Sequence, residues 1–132
     1  MSPPLTPVNP PGLAKPRGYS HGMIGTGTLL FVAGQIGWDG TGRMVSTDFV
    51  SQFAQALDNV LAVVREAGGE PTSVARLTIY VTDKELYRSG LQEMGRVYRE
   101  RMGRHYPAMA LVEVRSLLED GAKVEIEATA VL

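Results

Sequence analysis

The sequence predicts an α+β domain in the order ββαβαββ, with two helices covering one face of a mixed sheet. Three observations carry this prediction. Two stretches place apolar residues at helical spacing, the remaining apolar runs are short or alternate with a period of two, and glycine, proline and aspartate separate one stretch from the next. The 132 residues amount to one domain, and 44% hydrophobic with 20% charged residues is a globular composition.

Six of the eight prolines fall within residues 1–16 (Pro3, Pro4, Pro7, Pro10, Pro11 and Pro16), where fixed φ angles and missing amide donors exclude helix and central strand. This reads as an extended arm, either a tail or a segment laid over a neighbouring surface, ahead of a single domain over 17–132. Tyr19 to Gly25 reads as a short strand, Gly25-Thr26-Gly27 as a turn and Leu29 to Ile36 as an apolar strand, together a hairpin. Trp38-Asp39-Gly40-Thr41-Gly42 supplies turn chemistry. Asp48 can accept from the orphan amides of a helix whose apolar positions Phe49, Phe53, Leu57, Val60, Leu61 and Val64 recur at helical spacing, ending before Gly68-Gly69. Val74 to Val81 is a third strand and Asp83 the N-cap of a second helix with the stripe Tyr87, Leu91, Met94, Tyr98 and Met102. Gly90 and Gly95 weaken that helix by about 1 kcal/mol each relative to alanine. Two strands close the chain, Ala108 to Val114 and Lys123 to Leu132, joined through Glu119-Asp120-Gly121.

The last strand alternates cleanly. Val124, Ile126, Ala128, Ala130 and Leu132 face one way, and Glu125, Glu127, Thr129 and Val131 the other. Helices over the first set leave the glutamates on the open face, joined by either Met109, Leu111 and Glu113 or Ala110, Val112 and Val114. Both sets are partly apolar, so the open face is expected to be an interface between copies of the chain, with ligand clefts between subunits.

With no cysteine and only His21 and His105, disulfides, thiolate nucleophiles, cysteine-ligated metals and histidine-rich metal sites are excluded. The formal net charge of -1 gives no broad positive field for nucleic acid. No apolar run approaches a membrane span and no signal peptide is evident, so a cytoplasmic protein is expected. Gly34 to Gly42 lacks the Gly-Lys-Ser/Thr ending of a phosphate loop and reads as a connecting turn. His21 has no nucleophile elbow to serve, and His105 sits in a helix-to-strand connection. Arg96, Arg99, Arg101, Arg104 and His105 could contact phosphates, but Glu93 and Glu100 interleave with them as on a solvated helical face. Glu125 and Glu127 are the informative pair: on one strand face they either project into water or share a semi-enclosed site suited to acid-base work.

Pro16-Arg17-Gly18-Tyr19-Ser20, Leu30-Phe31-Val32-Ala33-Gly34-Gln35-Ile36, Ala56-Leu57-Asp58-Asn59-Val60, Glu66-Ala67-Gly68-Gly69, Val81-Thr82-Asp83, Tyr106-Pro107-Ala108, Val112-Glu113-Val114 and Val124-Glu125-Ile126-Glu127-Ala128 stand in the order seen in the RidA (YjgF) family. From about Lys15 to Leu132 the chain resembles that family, and the last motif is highly specific. The resemblance implies a chorismate-mutase-like fold, a homotrimer and three ligand clefts between subunits. It further implies hydrolysis of reactive enamines and imines to a carbonyl product and ammonia, with no cofactor and no metal. By motif, Glu125 matches the carboxylate that positions water, Tyr19 the pocket tyrosine and Gly34 a site where backbone approaches the ligand.

Three positions depart from the archetype. Met109 replaces the arginine of its Pro-Ala-Arg run, Ala33 a serine, and Gly95 falls near an asparagine. Losing a bidentate guanidinium clamp forfeits about 3 kcal/mol, roughly a hundredfold in binding. The resemblance therefore implies a deaminase whose specificity differs from that of archetypal 2-iminopropanoate deaminases, with Glu125 catalytic and Tyr19, Ala33, Gly34 and Met109 lining the substrate site. Two alternatives stand beside it: a non-catalytic trimer that binds a small metabolite, and an endoribonuclease or translation inhibitor dependent on Arg99 and Arg104.

Overall fold

The computed structural model describes residues 5–132. In chain order the elements are β1 (Leu5–Val8), β2 (Gly22–Gly25), β3 (Leu29–Gln35), α1 (Phe49–Glu66), β4 (Val74–Val81), α2 (Lys84–Ser89), α3 (Leu91–Met102), β5 (Ala108–Glu113) and β6 (Val124–Val131). Four strands form a mixed sheet in the order β3-β6-β4-β5, with β4 and β5 parallel and the other pairs antiparallel. The expected α+β class with helices over one sheet face is the observed one.

β6 lies inside the sheet because its alternation suits that position. Val124, Ile126 and Ala130 are completely buried beneath the helices, while Glu125, Glu127 and Thr129 on the opposite face are only half-buried. Opposite Ala128, Ile126 and Val124 stand Leu77, Ile79 and Val81 of β4, which extend the same apolar layer. Phe53, Leu57, Val60 and Leu61 of α1 close that layer from above. Asp48 caps α1 as expected, its carboxylate accepting from the Ser51 amide at 3.0 Å. Gln52 is fully buried and ties three loop groups together. Its Nε2 donates to Ser46 O (2.9 Å) and Gly121 O (3.0 Å), and its Oε1 accepts from the Lys123 amide (2.8 Å).

Three local expectations are corrected. The expected hairpin of Tyr19 to Gly25 with Leu29 to Ile36 does not form; β2 pairs instead with β1, from Leu5↔Gly25 to Val8↔Gly22. The connection is held open because Thr28 and Leu132 exchange two backbone hydrogen bonds (3.0 and 2.8 Å), fastening the start of β3 to the end of β6. Gly27, at φ +146°, passes so close that a Cβ would lie 2.3 Å from Leu132 O. The arm over 1–16 is therefore partly strand, and Pro7 is tolerated because a two-stranded ribbon leaves one side of each strand unpaired. Pro3 and Pro4 lie outside the described residues. Finally, the second helix divides at Gly90 (φ -100°, ψ 14°), which ends α2 and begins α3.

Candidate functional site

On the face without helices, the β3–β6 ladder is interrupted. Val32 pairs with Ala128 but Gln35 with Ile126, so Ala33 and Gly34 together oppose Glu127 alone, a bulge that bends the strand. The Glu125 side chain lies directly over this bulge. A Cβ built on Gly34 would sit 2.7 Å from Glu125 Oε2 and 2.8 Å from Cδ, so only glycine leaves the carboxylate room there. Ala33 is exposed beside it.

Glu127 has a different employment. Tyr80 Oη donates to its Oε1 at 2.8 Å, and this bond to the carboxylate pushes the Tyr80 phenol above its usual range. Sequence reasoning passed over Tyr80, although its place on alternating β4, opposite Glu125 in the register, could have located it. The two glutamates thus differ: Glu127 accepts from a phenol, whereas Glu125 packs against a glycine.

Met109 settles which residues of β5 share the open face. Leu77↔Met109 and Ile79↔Leu111 place Met109 and Leu111 on the helix side, packed against the core, and leave Ala110 and Val112 on the open side. Phe31, 73% exposed, and Val112, 42% exposed, are large apolar groups on that open face. Glu125 and Met109, expected in one cleft, therefore lie on opposite faces of the sheet. Alternation along the strands forces this separation.

Met109 lines a cleft of about 320 Å³ under α2 and α3, together with Tyr87, Gly95, Arg99, Tyr106 and Arg17. The segment carrying Arg17 to Tyr19 is strapped to the start of β5. Ser20 N donates to Pro107 O (3.1 Å), Ser20 Oγ donates to Tyr106 O (2.5 Å), and Ser20 bridges Ala108 in parallel. Tyr19 packs edge-on against His21 at 5.4 Å. The predicted residues therefore fall in three places: Glu125 with Ala33 and Gly34 on the open face, Met109 in the cleft under the helices, and Tyr19 in a neighbouring depression with Ser20, Arg104 and Tyr106.

The remaining features have structural employment. The His21 and His105 rings donate from Nε2 to Ala14 O and Val74 O, each at 2.7 Å. Asp39 accepts from Thr41 and Arg43 within the glycine-rich turn, and those bonds, the Thr41 hydroxyl first, hold its carboxyl below the usual range. Arg96 pairs with Glu100 (2.7 Å) and Glu93 (3.6 Å), and Arg101 with Asp58 (2.7 Å), so much of the basic cluster is neutralised. Among the described residues no helix is long and apolar enough to cross a membrane.

Known proteins carry the same pattern. The family model described as Endoribonuclease L-PSP matches residues 12–132. The chain belongs to the RidA (YjgF) family. Its relatives include a RutC family protein, y4sK, of Sinorhizobium fredii, 38% identical over 97% of this chain and 96% of that one. The human 2-iminobutanoate/2-iminopropanoate deaminase is 28% identical over 96% of this chain and 88% of its own. Among solved structures, the Rid-family protein of unknown function YyfB from Yersinia pestis is similar with a TM-score of 0.88 and 30% identity, covering 98% of this chain and 99% of that one. Family membership agrees with the motif at Val124 to Ala128 and with the sheet-and-helix arrangement described above.

Proposed function

We propose that this RidA-family chain hydrolyses an enamine or imine to a carbonyl compound and ammonia, with Glu125 as the catalytic carboxylate. The observation that carries the reading is the seating of Glu125 over Gly34 on the sheet face that has no helix cover. In this mechanism the carboxylate orients water toward the imine carbon and takes its proton as the C–O bond forms and the C=N π pair moves to nitrogen. That proton then reaches the nitrogen to give a carbinolamine, and transfer of its hydroxyl proton to the nitrogen accompanies C–N cleavage, releasing ammonia as the carbonyl forms. The imine carbon is already electrophilic, so positioning and one proton acceptor suffice.

The working unit is a homotrimer in this proposal. Phe31 and Val112 supply an apolar interface, and each cleft joins Glu125 and Gly34 of one subunit to Met109 and Tyr19 of a neighbour. Support comes from the opposite-face placement of Glu125 and Met109, which a second copy can reconcile. Met109 on the recognition side directs specificity away from the smallest 2-imino acids, because a thioether offers apolar contact where a guanidinium would grip a carboxylate.

The test is turnover of freshly generated enamines and imines, 2-aminoacrylate beside bulky apolar and aromatic ones. Carbonyl product should form from the bulky substrates and scarcely from 2-aminoacrylate, and Glu125→Gln should abolish it while leaving the oligomer intact. Unchanged turnover in Glu125→Gln would end the proposal.

A further inference from the structure

The cleft beneath α2 and α3 is lined by two arginines that, among the described residues, no carboxylate claims. Arg99 and Arg17 both line it, and among the described residues neither has an ion-pair partner within 4.0 Å. The acids of α3 are already engaged, Glu93 by Arg96 and Glu100 by Arg96 and Arg101. Arg99 stands at the rim, between this cleft and a depression lined by Gln92, Glu93 and Arg96. Its guanidinium folds back one helical turn across Gly95, where an added Cβ would meet Nη1 at 3.0 Å. The glycine thus makes room for the cation on the side of α3 that faces the cleft.

The rest of the lining is of another kind. Met109 forms apolar wall, and Tyr106 stacks on Tyr98 with centroids 5.5 Å apart. A space of about 320 Å³ is at the small end of the roughly 300–1,000 Å³ range of ligand sites. Apolar and aromatic walls with guanidinium groups at one rim complement a molecule that is apolar at one end and anionic at the other.

We propose that this cleft binds a small amphiphilic carboxylate, its apolar or aromatic body against Met109 and Tyr106 and its anionic end on Arg99 and Arg17. As a statement about substrate class it rests on the hydrolase reading above; as a statement about binding it does not. Arg99 and Arg17 are specificity residues here, and Glu125 has no part in holding the anion.

Calorimetric titration of the Glu125→Gln protein with three stable probes tests this without any turnover. Phenylpyruvate has body and anion, pyruvate the anion alone, and 1-phenylpropan-2-one the body alone. Phenylpyruvate should bind at least tenfold more tightly than either of the others. The double replacement Arg17→Met with Arg99→Met should weaken phenylpyruvate about tenfold or more, a loss typical of a charged hydrogen bond, and leave the neutral ketone unchanged. Arg96→Met, at a cation already paired, should change nothing. Wild-type affinity for phenylpyruvate in the double variant, an equal loss in Arg96→Met, a parallel loss of the neutral ketone, or no phenylpyruvate binding would each overturn the inference. Loss of turnover in Glu125→Gln with unaltered binding would uphold the hydrolase reading separately, and wild-type turnover in that variant would end that reading without touching the binding result.

Discussion

Replacing Gly34 by alanine separates activity from stability. The new methyl would start 2.7 Å from Glu125 Oε2, well inside ordinary contact, so the carboxylate must retreat by about 0.7 Å. The backbone itself accepts the change, since Gly34 is not among the positive-φ glycines, and a glycine-to-alanine change at such a position stabilises by about 0.4–1 kcal/mol through the unfolded chain. A catalytic group displaced by about 1 Å loses up to a hundredfold in rate, so turnover should fall about ten- to a hundredfold, or about 1.4–2.7 kcal/mol in the barrier. Steady-state kinetics on a bulky imine, with urea unfolding of the same protein, would read both effects. The expected result is a depressed kcat, a nearly unchanged KM and a midpoint no lower than wild type. A wild-type kcat in Gly34→Ala would refute the reasoning, because the position of Glu125 over the bulge would then be irrelevant to the reaction.

Gln52→Leu should destabilise the fold by about 3 kcal/mol, since it strips partners from Ser46 O, Gly121 O and the Lys123 amide at a fully buried position; urea unfolding gives the number. Tyr98 should make the protein sensitive to alkali. Burial raises its phenol pKa above the usual 10.0, so its contribution is complete below pH 10 and is lost as the unfolded chain ionises first above it. In Tyr98→Phe the alkaline loss should be shallower, although about 1 kcal/mol goes at neutral pH with the hydrogen bond to His105 O (2.5 Å), and unfolding at pH 7 and pH 11 compares the two. Met109→Arg should raise kcat/KM for 2-iminopropanoate about ten- to a hundredfold by adding a carboxylate clamp, and no gain in that assay would remove Met109 from the account of specificity.

Much of this fold was legible because its main elements are locally consistent. β6 declares its two faces by strict alternation, and α1 combines a capping aspartate, an apolar stripe and a terminal glycine pair. The misses have physical causes. The pairing of β1 with β2 is hidden because proline composition excludes central strands but says nothing about a short ribbon, and because the Thr28–Leu132 bonds that open the turn join residues far apart in sequence. The division at Gly90 is hidden because the apolar stripe continues on both sides of it, and Tyr87 and Met94 still pack on one core. Glu125 could be picked out from its motif, but its contact with Gly34 depends on a bulge that only the register reveals. The side of β5 on which Met109 lies was undetermined, since both phases of that strand are apolar, and its parallel register with β4 decides it.

The placement of Met109 also bears on why the proposed anion site lies on α3 and not on β5. A side chain at this position is partly buried against the core, beside Leu77 in the register, where an arginine without a ligand would lose hydration. Arg99, on the exposed rim of α3, keeps its water when the cleft is empty and gives it up only to an incoming anion. Met109 thus supplies apolar surface to the cleft. A rim cation and an apolar floor grip the two ends of a larger molecule at once, whereas a floor cation grips the end of a small one. On the proposed reading, Met109 and the glycine at 95 that admits Arg99 together fit the cleft to a larger substrate.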